Sequence, residues 1–284
     1  MPAIQSRLAI DLSGGLIRVA HGALGTSLRC GSGGVPAGAF ADGKVVDTAA
    51  VGVALRQVLA RSEIQETRAL VAVRDTLATS RILNLPATAL DSNVDSVVAK
   101  EFPLDPDRIG VTWVEVARDD HGRAVYATAW DRTLVKTISD AVRAGGVEPT
   151  VIDLKSACLA RVVTRPSCVL VDASSNPIEI VLIDDHAPQL WHEQALPAPL
   201  SDDLAGLLIE PLRAVLRHQK RRLGSRPGDL PVLISSDQPL SPVVMAGLAK
   251  ELGRPVEALP SPPRVPDIRY ATYLTCLGLL MRRN

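Results

Sequence analysis

Aromatic side chains are scarce in this chain. Phe, Trp and Tyr make up 3% of its 284 residues, so Val, Leu, Ile and Ala must fill the core. Net charge is missing too, because 31 basic and 31 acidic residues cancel. A zero balance gives no global pull toward nucleic acid or anionic lipid. Cys30, Cys158, Cys168 and Cys276 are the four cysteines. None forms a CxxC pair or joins a Cys/His cluster, which leaves buried free thiols in a reducing cytosol. No run of about 20 apolar residues occurs, so no transmembrane segment is expected. Arg7 and Asp11 interrupt the first apolar stretch, so no signal peptide is expected either. The expected location is cytoplasmic, with peripheral attachment to a membrane complex left open. P-loop, GxGxxG and GxSxG motifs are absent.

One pattern is present twice. Leu8-Ala9-Ile10-Asp11-Leu12-Ser13-Gly14-Gly15 leads into Leu16 to Ala20, and Val169-Leu170-Val171-Asp172-Ala173-Ser174-Ser175-Asn176-Pro177 leads into Ile178 to Ile183. Each reads as an apolar strand ending in aspartate, a small polar turn, and a second apolar strand. Backbone N–H groups at such a tip, beside a carboxylate, can hold nucleotide phosphates and a hydrated metal ion. The candidate ligand-holding residues are Asp11, Ser13, Gly14 and Gly15 in the first copy and Asp172, Ser174 and Ser175 in the second. Asp11 and Asp172 are the candidate metal ligands. The structural alternative is that both aspartates cap turns at strand ends. Arg18 either reaches a phosphate or sits on a solvated strand face, and the second is expected. The copies lie 161 positions apart, which points to two related halves.

Strand and helix patterns mix throughout, which means α/β. Asp47 or Thr48 begins a helix with Val51, Ala54, Leu55, Val58 and Leu59 on one face. Arg68 to Val73 is a buried strand, and Ile82 to Leu85 is another. Asp91 to Phe102 is a helix, followed by strands over Val111 to Val116 and Ala124 to Trp130. Arg132 to Ala144 is a helix closed by Gly145-Gly146, and Thr150 to Asp153 is a strand. The second half adds helices over 201–223, 241–252 and 268–281, with strands over 230–234 and 256–258. The basic end of the 201–223 helix is either a patch for lipid headgroups or an acidic partner, or a solvated helix C-terminus.

In order and spacing these motifs resemble the actin-like ATPase superfamily, and within it the PilM group of type IV pilus assembly proteins. The residues that carry the resemblance are the Asp11 hairpin, Val35 to Asp47, Arg81 to Pro86, Ala144 to Asp153, Leu252 to Glu257 and Tyr270 to Leu279. The resemblance covers essentially the whole chain. It implies an actin-like, ribonuclease H-like, two-lobed fold, with lobes at 1–153 and 154–284 and a small subdomain inserted at about 36–130. It implies a site for ATP with Mg between the lobes. It also implies a cytoplasmic protein, peripheral at the inner membrane, that binds the cytoplasmic tail of a PilN-like inner-membrane partner beside other pilus platform components. No nucleic acid is involved, and homo-oligomerisation stays open.

The hairpins depart from the family's pattern. Ser13 and Ser174 stand where glycine is usual, and the second turn has no glycine at all. After Val232 to Ile234, where a glycine pair usually meets adenine and ribose, the chain reads Ser235-Ser236-Asp237-Gln238-Pro239. Asp237 is the remaining candidate there, near a phosphate or ribose. Glycine lets backbone N–H groups approach phosphate oxygens without a Cβ in the way. The departures favour a scaffold with a degenerate nucleotide site. An actin-like ATPase or kinase-type enzyme and an FtsA-like filament subunit are the alternatives. The docking edge for a partner peptide is expected near Arg81 to Leu85 and Val111 to Val116.

Overall fold

A computed structural model describes residues 6–89, 91–102, 105, 107–120, 122–174, 177–195, 204–223, 230–237, 240–262, 264–265 and 270–282. The chain divides into two compact units, residues 1–158 with 275–284, and residues 159–274.

Unit 1 starts with an antiparallel meander of β1 (Arg7–Asp11), β2 (Leu16–Gly22) and β3 (Arg29–Gly34). A small hairpin, β4 (Phe40–Ala41) and β5 (Lys44–Val45), turns on Asp42 and Gly43, both at positive φ. Helix α1 (Thr48–Arg61) begins where Asp47 accepts the Ala50 N–H at 2.9 Å. Its buried face is the one the periodicity predicts. Strand β6 (Arg68–Val73) then pairs in parallel with β1. Next come β7 (Ala78–Leu85), α2 (Asp91–Glu101), β8 (Ile109–Arg118) and β9 (Arg123–Asp131). Helix α3 (Arg132–Ala144) leads to β10 (Glu148–Leu154), which is parallel to β6. The main sheet runs β10-β6-β1-β2-β3. Leu8 to Asp11 are all buried, as expected of a central strand covered on both faces.

The inserted elements form their own sheet, in the order β7-β9-β8. Strand β9 alternates. Val125, Ala127 and Ala129 pack under Val94, Val98 and Phe102 of the α2 segment. Tyr126, Thr128 and Trp130 therefore occupy the opposite face.

Helix α4 (Lys155–Val162) leads into unit 2. Here β11 (Cys168–Asp172), β12 (Ile178–Asp184) and β13 (Ala187–Gln194) form the meander. Asp185 and His186 both have positive φ, as a two-residue hairpin turn requires, so His186 is a turn residue. Helix α5 (Leu204–Leu223), β14 (Val232–Ser235), α6 (Pro242–Leu252) and β15 (Val256–Ala258) follow. The sheet runs β13-β12-β11-β14-β15, with β14 and β15 parallel to β11. Unit 2 therefore repeats the order and strand directions of the unit 1 main sheet.

The last helix, α7 (Leu274–Leu280), is shorter than the expected 268–281. Tyr270 to Tyr273 form turns instead, because their side chains are tied elsewhere. The Tyr270 hydroxyl donates to the Leu259 carbonyl and Thr272 Oγ1 to Asp237, each at 2.7 Å. Residues 266–269 lie outside the described residues, as do 201–203 of the expected α5 start. Past its first residue α7 packs in unit 1, with Cys276, Leu277, Leu279 and Leu280 at most 2% exposed. Arg7 donates to the carbonyls of Leu280 and Arg282, which a helix end otherwise leaves unpaired.

Candidate functional site

The first hairpin places Asp11 at the end of β1 with 1% exposure. Its Oδ1 accepts the Ser13 N–H at 2.9 Å and the Ser13 hydroxyl at 2.5 Å. Its Oδ2 lies 3.7 Å from the Arg18 guanidinium. Arg18 is the direct cross-strand neighbour of Asp11 and is only 4% exposed. The expected solvated position of Arg18 is thus wrong. The sheet face that holds Arg18 is covered from far along the chain, where the Cys276 thiol of α7 donates to the Arg18 carbonyl at 3.5 Å. Gly14 and Gly15 lie beyond the buried part of the turn. A Cβ on either would meet nothing within 4 Å, so packing does not require these glycines.

The second hairpin repeats the first half of this design. Asp172 is buried, and its Oδ1 accepts the Ser174 N–H at 3.2 Å and hydroxyl at 2.6 Å. The cross-strand neighbour differs, since Glu179 stands where unit 1 has arginine. Ser235 lies beside Asp172 in the β11–β14 register, and its buried Oγ has no hydrogen-bond partner among the described residues. Water is enough to satisfy such a group. Ser175 lies outside the described residues. Asp237, after β14, is exposed and accepts the Thr272 hydroxyl. Among the described residues no group of three or more His, Cys, Asp or Glu side chains could hold a metal ion.

Unit 1 also contains a cavity of about 490 Å³ that the sequence did not point to by residue. This size suits a ligand or a few peptide side chains. Its walls are the Tyr126, Thr128 and Trp130 face of β9 with Thr112 of β8, the Leu134 to Ile138 side of α3, and Pro149 to Leu154 of β10. Strand β10 is at the edge of its sheet, and β7 and β8 are at the edges of theirs. Burial pushes the Tyr126 hydroxyl up to about 12. At one end Arg282 pairs with Asp153 at 3.0 Å. Nearby, the buried carboxylate of Asp75 accepts the Ser156 N–H at 2.9 Å and the Ser156 hydroxyl. This clasp fixes the start of α4 to the turn after β6. Asp75 has no signature in the sequence, since its partner is 81 positions away. The two-residue alternation of β9 was a usable signal for the cavity face.

By sequence, no family model and no curated protein matches the chain. By structure, it is similar to a chain of the PilM–PilN type IV pilus biogenesis complex, with a TM-score of 0.74 at 16% identity over 98% of each chain. It is also similar to the ethanolamine utilization protein EutJ of Carboxydothermus hydrogenoformans, with a TM-score of 0.55 at 12% identity over 99% of this chain and 90% of that one. A third likeness is to the cytoplasmic domain of EpsL, an inner-membrane component of the Vibrio cholerae type II secretion system. There the TM-score is 0.52 at 13% identity, over 87% of this chain and 94% of that one. Among the described residues no helix is long and apolar enough to cross a membrane. With its repeated five-strand topology and an inserted three-stranded sheet, the chain has the actin-like ATPase fold in the form seen in the PilM–PilN complex.

Proposed function

We propose that this protein is a cytoplasmic scaffold of a type IV pilus platform, peripheral at the inner membrane, and that its unit 1 cavity takes an extended segment of a PilN-like partner's cytoplasmic tail. What supports this is the cavity itself. It lies beside three strands that are sheet edges among the described residues, and it offers aromatic, aliphatic and hydroxyl groups on one wall. An extended peptide can satisfy a sheet edge with main-chain hydrogen bonds while its alternate side chains fill a pocket. The expected docking strands, Arg81 to Leu85 and Val111 to Val116, are on β7 and β8, the two edges of the inserted sheet. Val114 of β8 is 56% exposed, and it lies opposite Tyr126 in the β8–β9 register. The fold likeness to a chain of the PilM–PilN complex supports this partner class.

The proposed scaffold role does not call on nucleotide. The family's ATP with Mg would call on Asp11, Ser13, Gly14, Gly15, Asp172, Ser174, Ser175 and Asp237. The described members of that set do not fit a hydrated Mg ion. Both aspartates are buried and hydrogen-bonded to serines within their own turns, and Asp237 is taken by Thr272.

Fluorescence anisotropy with a labelled peptide from the cytoplasmic tail of the PilN-like protein of the same genome tests the proposal. A dissociation constant near about 10 µM, roughly 7 kcal/mol of binding, is expected. Thr112 is exposed at the cavity wall, so Thr112→Trp should fill the cavity and leave the core intact. Binding should then weaken at least about tenfold, or 1.4 kcal/mol. A peptide that does not bind, or binds Thr112→Trp equally well, would sink the proposal.

A further inference from the structure

The first hairpin carries a cation of its own. Asp11 and Arg18 face each other across β1 and β2, with Oδ2 and the guanidinium 3.7 Å apart and both side chains at most 5% exposed. A buried guanidinium is costly unless an anion offsets it, and the same holds for a buried carboxylate. Removing either partner takes a buried opposite charge from the other. The fold does not demand arginine at this position. The second hairpin has the same turn and the same serine contacts, yet holds Glu179 opposite Asp172. Arg18 is therefore a feature of this one hairpin and not of the hairpin design.

A hydrated Mg ion needs near-octahedral oxygen ligands at about 2.0–2.1 Å and holds its waters firmly. To use Asp11 it would have to enter a covered site, take Oδ2 from Arg18, and leave a second positive charge beside itself. Oδ1 is occupied by Ser13 on two sides. Helix α7 adds to the closure, with Cys276 against the Arg18 backbone.

We infer that Arg18 is the permanent counter-cation of Asp11, tethered by the chain in place of a divalent metal, so that the first hairpin is complete without Mg or a Mg–nucleotide. The inference is independent of what the unit 1 cavity binds.

Thermal unfolding with added Mn²⁺ and with Mg–ATP tests it. The wild-type midpoint should move by less than about 1 °C at about 10 mM of either ligand. Arg18→Met keeps the length and loses the charge. It should unfold earlier and gain roughly 3 °C with Mn²⁺, the size expected for a ligand at several times its dissociation constant. Arg18→Met combined with Asp11→Asn should recover stability over Arg18→Met alone and lose the Mn²⁺ response, because the two positions couple. A wild-type rise with Mn²⁺ or Mg–ATP that Asp11→Asn abolishes would overturn the inference. So would an Arg18→Met protein that folds as stably as wild type. If Arg18→Met does not fold, the wild-type and Asp11→Asn titrations decide the matter alone.

Discussion

Gly278→Ala is the smallest change with a large expected effect. A Cβ at Gly278 would lie 2.0 Å from the Cys158 carbonyl oxygen, 2.5 Å from its carbon and 2.8 Å from its Cα. These are backbone atoms of α4 and cannot rotate away. Real Cβ contacts essentially never fall under 3.0 Å, so α7 and α4 must part by about 1 Å. Overpacking of this kind costs about 1–3 kcal/mol, or more when backbone must move. Full undocking of α7 would re-expose Leu277, Leu279 and Leu280, at about 1.5–3 kcal/mol each, so partial separation is the cheaper response. Alanine returns about 1 kcal/mol of helix propensity. Because backbone must move, the top of that range applies and the net loss is about 2 kcal/mol, read as a lower urea midpoint with an unchanged slope. Faster amide exchange in α7 should locate it. Gly247→Ala in α6 is the matched control. A Cβ there meets nothing within 4 Å, so propensity alone should act and raise stability by about 0.5–1 kcal/mol. If both alanines stabilise equally, the close α7–α4 approach is not real.

Three further outcomes follow from buried or capping groups. Asp75→Ala removes the acceptor for the Ser156 N–H and hydroxyl, and should cost about 2 kcal/mol or more in urea unfolding, because the donors stay buried. Asp47→Ala removes the α1 cap and should cost about 1 kcal/mol in the same assay. Burial raises the Tyr126 hydroxyl from an ordinary 10 and the Cys168 thiol from an ordinary 9, each to about 12. The folded chain therefore holds these protons after the unfolded chain has released them. Their stabilising effect is complete below about pH 9 and falls as pH climbs toward 12. Melting points across that range should decline, and Tyr126→Phe should remove part of the decline.

The repeated hairpins were legible because strand, aspartate and small turn are local. Asp47, Val51, Leu55 and Val58 likewise gave α1 through cap and periodicity alone. Arg18 was misplaced for a non-local reason. On a two-residue alternation it falls on the face opposite Ile17 and Val19, and nothing nearby in the sequence covers that face. The cover comes from Cys276, 258 positions later. The cavity was half legible. Tyr126, Thr128 and Trp130 alternate with small apolar residues, but α3 and β10, which complete the walls, are brought there by tertiary packing. Tyr270 and Thr272 read as helix by pattern, yet their hydroxyls find partners on Leu259 and Asp237 and turn the chain instead.

The return of α7 to unit 1 makes that unit discontinuous, with unit 2 spliced into it. On the ribosome the chain emerges from its N-terminus, so β1 to β10 are free of the exit tunnel long before Leu277 and Leu280 exist. The Arg18 face of the first sheet must wait uncovered while the whole of unit 2 is made. Vectorial synthesis, which lets many N-terminal domains finish early, here makes the first-made unit the last to be completed.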